Sequence, residues 1–294
     1  MVLAGGVALN LATFAPPWQV TLPGLRFWPA FFMSQASTAL SIVVPAGAAV
    51  GLAGSYGLLR SLGFPAREVA RGVTLTGLWN QFANLSYPIV AVFLLTVSGG
   101  DSPLLATVAF TGVAVLGLAV GGLALVLAGE RTATGVGELS ARITNWALGR
   151  IKHGPVGWGG PSFERFRLDA VWLLRRRWHL LTLATLAGSL SVFLVLLVSL
   201  RALGVPGSEV SGVEAFAAWA LVRLIGSIPI TPGGVGIVEL GLTGALVGFG
   251  GNNAGVVAAV LVFRALTVLP TLVLGLVAIG TWRRHARVIR DPAR

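Results

Sequence analysis

The chain has no cysteine, three histidines and ten acidic residues among its 294, and Lys152 is its only lysine. Without thiols, disulfides and thiolate metal sites are excluded. His153, His179 and His285 stand apart with no HExxH spacing, so they form no metal-ligand pattern. The glycines between 233 and 241 match a dinucleotide fingerprint only loosely, with neither a strand-to-helix context nor an acid placed for a ribose. Paired carboxylates for acid–base work are missing from the apolar sequence as well. No cofactor and no enzymatic activity are therefore expected. The largest deficit is charge itself. Only 11% of residues are charged against 55% hydrophobic, and mean hydropathy is +0.86, which excludes an ordinary soluble domain and implies an integral membrane protein.

The charge that remains is unevenly placed. The formal net charge of +11 is nearly all arginine, concentrated at the edges of apolar runs. There anionic lipid headgroups, not nucleic acid, are the expected partners. Residues 72–97, 104–128 and 179–200 carry no Asp, Glu, Lys or Arg, and 256–281 is interrupted only by Arg264 and Pro270. Each is long enough to cross a hydrocarbon core of about 30 Å as helix. Val2 to Pro16 is apolar but short for a span and lacks the basic start of a signal peptide, so a partial helix is expected there.

Two regions read differently. Residues 29–60 are split at Val44-Pro45-Ala46-Gly47, and residues 213–249 are split between Pro229 and Gly236. Their shorter halves would reach only about 20–25 Å as helix, which predicts re-entrant hairpins. Arginines crowd the 129–178 segment and the tail 282–294, so both are expected in the cytoplasm. Counting spans from there, the second hairpin enters from outside and the first from the cytoplasm. An offset of 187 residues relates Pro45 to Pro232, Gly47 to Gly234, Gly54 to Gly241, Gly57 to Gly244 and Gly63 to Gly250. Two similar hairpins entering from opposite faces are what an inverted repeat requires. The expected architecture is an all-α polytopic membrane protein, one helical bundle over 1–294 with two inverted re-entrant hairpins. Its first repeat runs from about 17 to 128, its basic loop over 129–178 and its second repeat over 179–281.

Backbone freed by a helix break cannot be satisfied by lipid, so a break at that depth is buried in protein or lines a polar cavity. Thr231-Pro232-Gly233-Gly234-Val235-Gly236-Ile237-Val238-Glu239 is such a break. Thr231 suits a hydroxyl cap, Pro232 a first helical position, and Gly233, Gly234 and Gly236 tight turning. Glu239 is then expected about two turns into a half-helix whose N-terminus offers free donors to an anion. Pro45 and Gly47 would begin the matching half-helix. A lone acid at this depth predicts an ion pair with Arg223 or Arg264, and two arginines facing one glutamate leave positive charge for a phosphate. The same pair could also serve only to hold helices together. Asn80, Gln81, Asn84 and Ser86 form a polar cluster, with Asn80 and Asn84 on one helical face; they either bond to neighbouring helices or line a polar pathway. Residues 163–179 interleave aromatic and aliphatic side chains with arginines, as an interfacial helix leading into the next span does.

At Pro232-Gly233-Gly234-Val235-Gly236-Ile237-Val238-Glu239, with Arg264 and Gly275 following, the chain resembles the lysylphosphatidylglycerol synthase transmembrane, or flippase-like, family. Val44-Pro45-Ala46-Gly47 with Tyr56, Leu59 and Gly63 is similar to that family's first half. The resemblance implies a helical membrane domain that moves or handles lipids with polar headgroups. In the lipid synthases of this group a separate soluble domain transfers the aminoacyl group, and because the sequence ends soon after its last span, that domain and its activity are expected to be missing. The position matching Glu239 in the first half is Leu52, so the two halves are not equivalent.

The expected function is translocation of a phospholipid or other polar-headgroup lipid, anionic or aminoacylated, across the cell membrane, with the C-terminus cytoplasmic. Alternatives are an anion or small-solute channel or transporter, and a non-catalytic subunit that docks a cytoplasmic enzyme at 129–178. Orientation is directly testable, because the chain has no native thiol. Ser102→Cys is expected to react with a membrane-impermeant maleimide on intact cells and Ser162→Cys only after permeabilisation; the reverse pattern would invert the assignment.

Overall fold

A computed structural model gives the architecture; it describes residues 2–44, 47–98, 103–150, 159–227 and 231–290. All the described elements are helical: α1 (Val2–Ala12), α2 (Pro16–Thr21), α3 (Phe27–Val43), α4 (Gly47–Ser61), α5 (Ala66–Val97), α6 (Pro103–Ala128), α7 (Glu130–Arg150), α8 (Gly160–Ala202), α9 (Gly212–Gly226), a 3-10 turn at Pro232–Gly234, α10 (Ile237–Gly248) and α11 (Asn253–Arg290). Four segments are long and apolar enough to span a membrane: Ala66–Val97, Thr111–Ala128, Pro161–Ala202 and Asn253–Trp282. The chain divides into two compact units, one of residues 1–113 and 180–294 and one of residues 114–179.

In the first unit α11 is the central strut. It packs along α3 and α10, while α5 packs along α9 and α4. The pattern is reciprocal: the first helix of each broken region lies against the long helix that follows the other. Gly275 makes the α3–α11 approach possible, since a Cβ there would run into Ala39 Cβ and the Gln35 carbonyl. Small residues at such crossings substitute van der Waals packing for the hydrophobic drive that lipid does not supply.

The ends of the broken regions are tied back together. Ahead of α9, the Glu209 carboxylate accepts from the Asn252 backbone N–H at 3.0 Å and from Asn252 Nδ2 at 2.8 Å, at the start of α11. The backbone donor and then the side-chain donor hold the exposed Glu209 carboxyl below the usual carboxylate range. Segment α9–α10 thus returns to the end from which it began. At the other base, Leu25, Met33, Leu59 and Val69 are buried in one cluster with Phe27, Leu62 and Trp282, and Trp282 Nε1 donates to Ser61 Oγ at 2.6 Å. Asn252 adjoins the start of α11 and Trp282 ends its apolar part, so the two bases lie at opposite ends of one helix. Segments α3, α4, α9 and α10 hold 17, 15, 15 and 12 residues, about 18–26 Å each.

Two segments of the sequence gain definition from the structure. Within 129–178 the described residues are helical. Helix α7 covers Glu130–Arg150, and the helix expected at 163–179 leads without interruption into the following span as α8, because no Pro or Gly breaks the backbone between Phe163 and Gly188. In the second unit Arg167 clamps Glu164 at 2.6 Å and donates to the Leu127 carbonyl at 3.1 Å. The apolar stretch 2–16 holds the short helix α1, in line with the expected partial helix, and α2 begins at its end. Asn10 Nδ2 of α1 donates to Ser191 Oγ at 3.0 Å, and Gln35 Nε2 of α3 donates to the Leu11 carbonyl at 3.3 Å.

Gly275→Leu is expected to cost about 1–3 kcal/mol by overpacking the α3–α11 crossing. Gly244→Ala, where an added Cβ meets nothing within 4 Å, should leave stability unchanged or raised. Thermal unfolding of the purified protein in detergent measures both.

Candidate functional site

The break at Thr231–Gly236 folds differently from a capped half-helix. Pro232 does start a helical turn, but of three residues and 3-10 type, and α10 begins five residues later at Ile237. Thr231 makes no capping bond, and its buried hydroxyl has no hydrogen-bond partner among the described residues. Gly233 and Gly236 take φ of 59° and 84°, a region that β-carbons disfavour. Gly233 also faces Ile42 at the end of α3, where a Cβ would come within 2.9 Å of Ile42 Cγ2. Gly234 is buried beneath Val238.

Glu239 is therefore the third residue of α10, not a residue two turns inside it. From there its Oε2 accepts from the Gly236 N–H at 2.6 Å, the acidic half of a capping box. Gly236 has no side chain to return the bond. Glu239 Oε1 meets Arg264 Nε at 2.6 Å, and the other arm of Arg264, Nη2, donates to the Gly233 carbonyl at 2.9 Å. The N-terminus of α10 is thus already occupied by an anion, the protein's own carboxylate, and Arg264 is neutralised by it.

Arg223 does not join that pair. Its Nε donates to Asn84 Oδ1 at 2.7 Å and its Nη2 to Ser189 Oγ at 3.2 Å. The guanidinium carbon sits 5.3 Å from the Trp219 ring centroid and 6.0 Å from that of Tyr87. Among the described residues no carboxylate neutralises it. Asn84 is oriented in turn by the Gln81 side-chain oxygen, which accepts from Nδ2 at 3.0 Å. The polar cluster on α5 thus binds a cation on α9, a link that helical spacing alone could not assign.

Two cavities meet at Arg223. One, about 310 Å³, lies against α10 and α11 and is lined by Asn10, Thr38, Ile42, Asn84, Trp219, Arg264, Thr267 and Thr271 among others. The second, about 210 Å³, lies against α4 and α5 and includes Ser34, Ser37, Leu52, Thr76, Asn80, Thr185 and Ser189. Phe14, Thr38, Val192 and Arg223 border both. Asn80 and Asn84 accordingly serve different cavities. Applying the offset of 187 to Glu239 and Arg264 gives Leu52 and Gly77, which both line the second cavity. An ion pair stands in one half where Leu52 and Gly77 stand in the other.

Of the remaining expected positions, Gly47 begins α4 and touches the Ser41 backbone so closely that no Cβ fits. Pro45 lies outside the described residues. Phe14, Thr38, Ser189 and Thr271 were not among the expected site residues. Ser and Thr are common in helix packing, and nothing local in sequence marks these four.

Buried apolar contacts around a cationic, hydroxyl-lined centre, within a bundle of membrane-spanning helices, define a polytopic membrane protein with an internal polar site. The particular family follows from sequence comparison: the chain belongs to the family described as lysylphosphatidylglycerol synthase TM region, whose model matches residues 2–275. Membership links it to membrane lipid metabolism or translocation. No curated protein matches the chain in a sequence comparison.

Glu239→Ala is expected to destabilise more than Glu239→Gln, because glutamine retains an acceptor for the Gly236 N–H. With both side chains still partly exposed, at 16% and 24%, the Glu239–Arg264 coupling in a double-mutant cycle is expected at about 1–3 kcal/mol. Denaturant unfolding in detergent measures it; additivity of the two single variants would contradict the interlock.

Proposed function

We propose that the protein is a lipid translocase that carries the polar headgroup of a membrane lipid through the two cavities while the acyl chains stay in the bilayer. The observation that carries this reading is Arg223, a cation without an acidic partner among the described residues, bordering both cavities. An uncompensated charge within a membrane is costly, and such residues mark substrate or ion pathways. A headgroup phosphate would supply the missing counter-charge through charge-assisted hydrogen bonds.

The reciprocal packing of α3 on α11 and α9 on α5 supports an inverted repeat, and the bases at opposite ends of α11 support two re-entrant hairpins entering from opposite faces. The arginine distribution supports a cell-membrane orientation with the C-terminus in the cytoplasm. On this reading the protein binds and moves lipid and performs no group transfer. Asn80, Asn84 and Arg223 serve as the headgroup path, and Glu239 and Arg264 hold the Thr231–Gly236 turn in shape beside it.

Proteoliposomes carrying fluorescent anionic, zwitterionic and aminoacylated lipids provide the test. Wild type is expected to move lipid between leaflets, and Arg223→Gln to slow that movement by at least about tenfold, the loss of one charge-assisted interaction. If intact wild type moves none of the three lipids, the translocase reading fails. Anion flux from the same vesicles would then favour a solute pathway, and copurification of an enzyme that depends on 129–178 would favour a docking subunit.

A further inference from the structure

The second cavity narrows the substrate class, an inference that rests on the translocase reading above. Its polar lining is uncharged apart from Arg223. Many of its hydroxyls already donate to backbone carbonyls on their own helices: Ser34 to Phe31, Ser37 to Ser34 and Thr185 to Leu181. Each hydroxyl with its donor spent keeps acceptor capacity on its oxygen. Ser189 is held by the Arg223 guanidinium, and Leu52 stands where the other half has its carboxylate. Among the described residues the acid at this depth is Glu239, which is bound to Arg264 and the Gly236 N–H and lines neither cavity.

A cationic headgroup would bring an ammonium into this space with no carboxylate to receive it and with an uncompensated guanidinium at the wall. A phosphodiester carrying an uncharged polyol fits on both counts. Its phosphate neutralises Arg223, and its hydroxyl hydrogens meet the waiting acceptors. The volume of about 210 Å³ equals that of roughly seven waters, space for a headgroup and not for acyl chains. We infer that the protein selects lipids with an anionic phosphate bearing an uncharged, hydroxyl-rich headgroup, such as a glycerol or a sugar, over aminoacylated or other cationic headgroups.

The test uses the full chain in proteoliposomes and adds a binding measurement in detergent. Fluorescently labelled phosphatidylglycerol, phosphatidylethanolamine and lysylphosphatidylglycerol are compared for movement. Their short-chain forms are titrated against tryptophan fluorescence, to which Trp219 beside Arg223 and Trp18 at the second cavity contribute. Wild type is expected to move and bind phosphatidylglycerol at least about tenfold better than the lysylated lipid. Leu52→Glu, which places a carboxylate in the second cavity, is expected to narrow or reverse that preference, and Arg223→Gln to abolish the preference for the anionic lipid. Movement of lipid with equal or greater preference for the lysylated headgroup would overturn the inference and leave the translocase reading standing. Selective binding without any movement would do the opposite. The wild-type comparison decides the matter even if a variant fails to fold.

Discussion

Glu239 and Arg264 close the backbone that the Pro-Gly break leaves open. The carboxylate takes the N–H of Gly236, the residue just ahead of α10, and one arm of Arg264, and the other arm of Arg264 takes the Gly233 carbonyl. Four polar groups that lipid could not satisfy are thereby spent on one another. The arrangement fastens the glycine turn to α11, and through Gly233 the turn lies against the end of α3. Removing either charge would strand the other beside an open helix end.

With that turn fixed, α11 organises the first unit. One of its ends receives the base of α9–α10 through Asn252 and Glu209, the other the base of α3–α4 through Trp282 and Ser61. The two broken segments are alike in plan and unlike in chemistry. Where one half carries Glu239 and Arg264, the matching positions of the other are Leu52 and Gly77, and a cavity lined with hydroxyls lies beside them. The asymmetry confines the local ion pair to one side of Arg223 and leaves uncharged space on the other.

Arg223 is held by neutral partners: an amide, a hydroxyl and two aromatic faces. Such an environment orients a guanidinium without cancelling its charge. A counter-ion brought by a ligand would then gain more than it could from an arginine already bound to a carboxylate. Arg264 supplies the contrast within the same molecule, since Glu239 has already taken its charge and its geometry serves the turn.

The sequence by itself determined the class and the long helices. The apolar runs at 72–97, 104–128, 179–200 and 256–281 each fall within one long helix, α5, α6, α8 and α11, because span length and hydropathy are local properties that lipid enforces residue by residue. It also marked 231–239 as a break, since Pro and Gly act on their own backbone. Where the chain turned was legible; how it turned was not. A 3-10 turn stands in place of the expected start of a half-helix, where the Gly233 carbonyl bonds Arg264 and Gly233 packs against Ile42, both distant in sequence, within the conformations those glycines permit. Tertiary structure alone decided that Arg264, not Arg223, pairs with Glu239, and that Asn84 meets Arg223 139 residues away. It alone brought Phe14, Thr38 and Ser189 to one polar centre. Pairing of charges and enclosure of space depend on which helix faces touch, and that contact is set by packing across the whole bundle, which no local pattern of residues encodes.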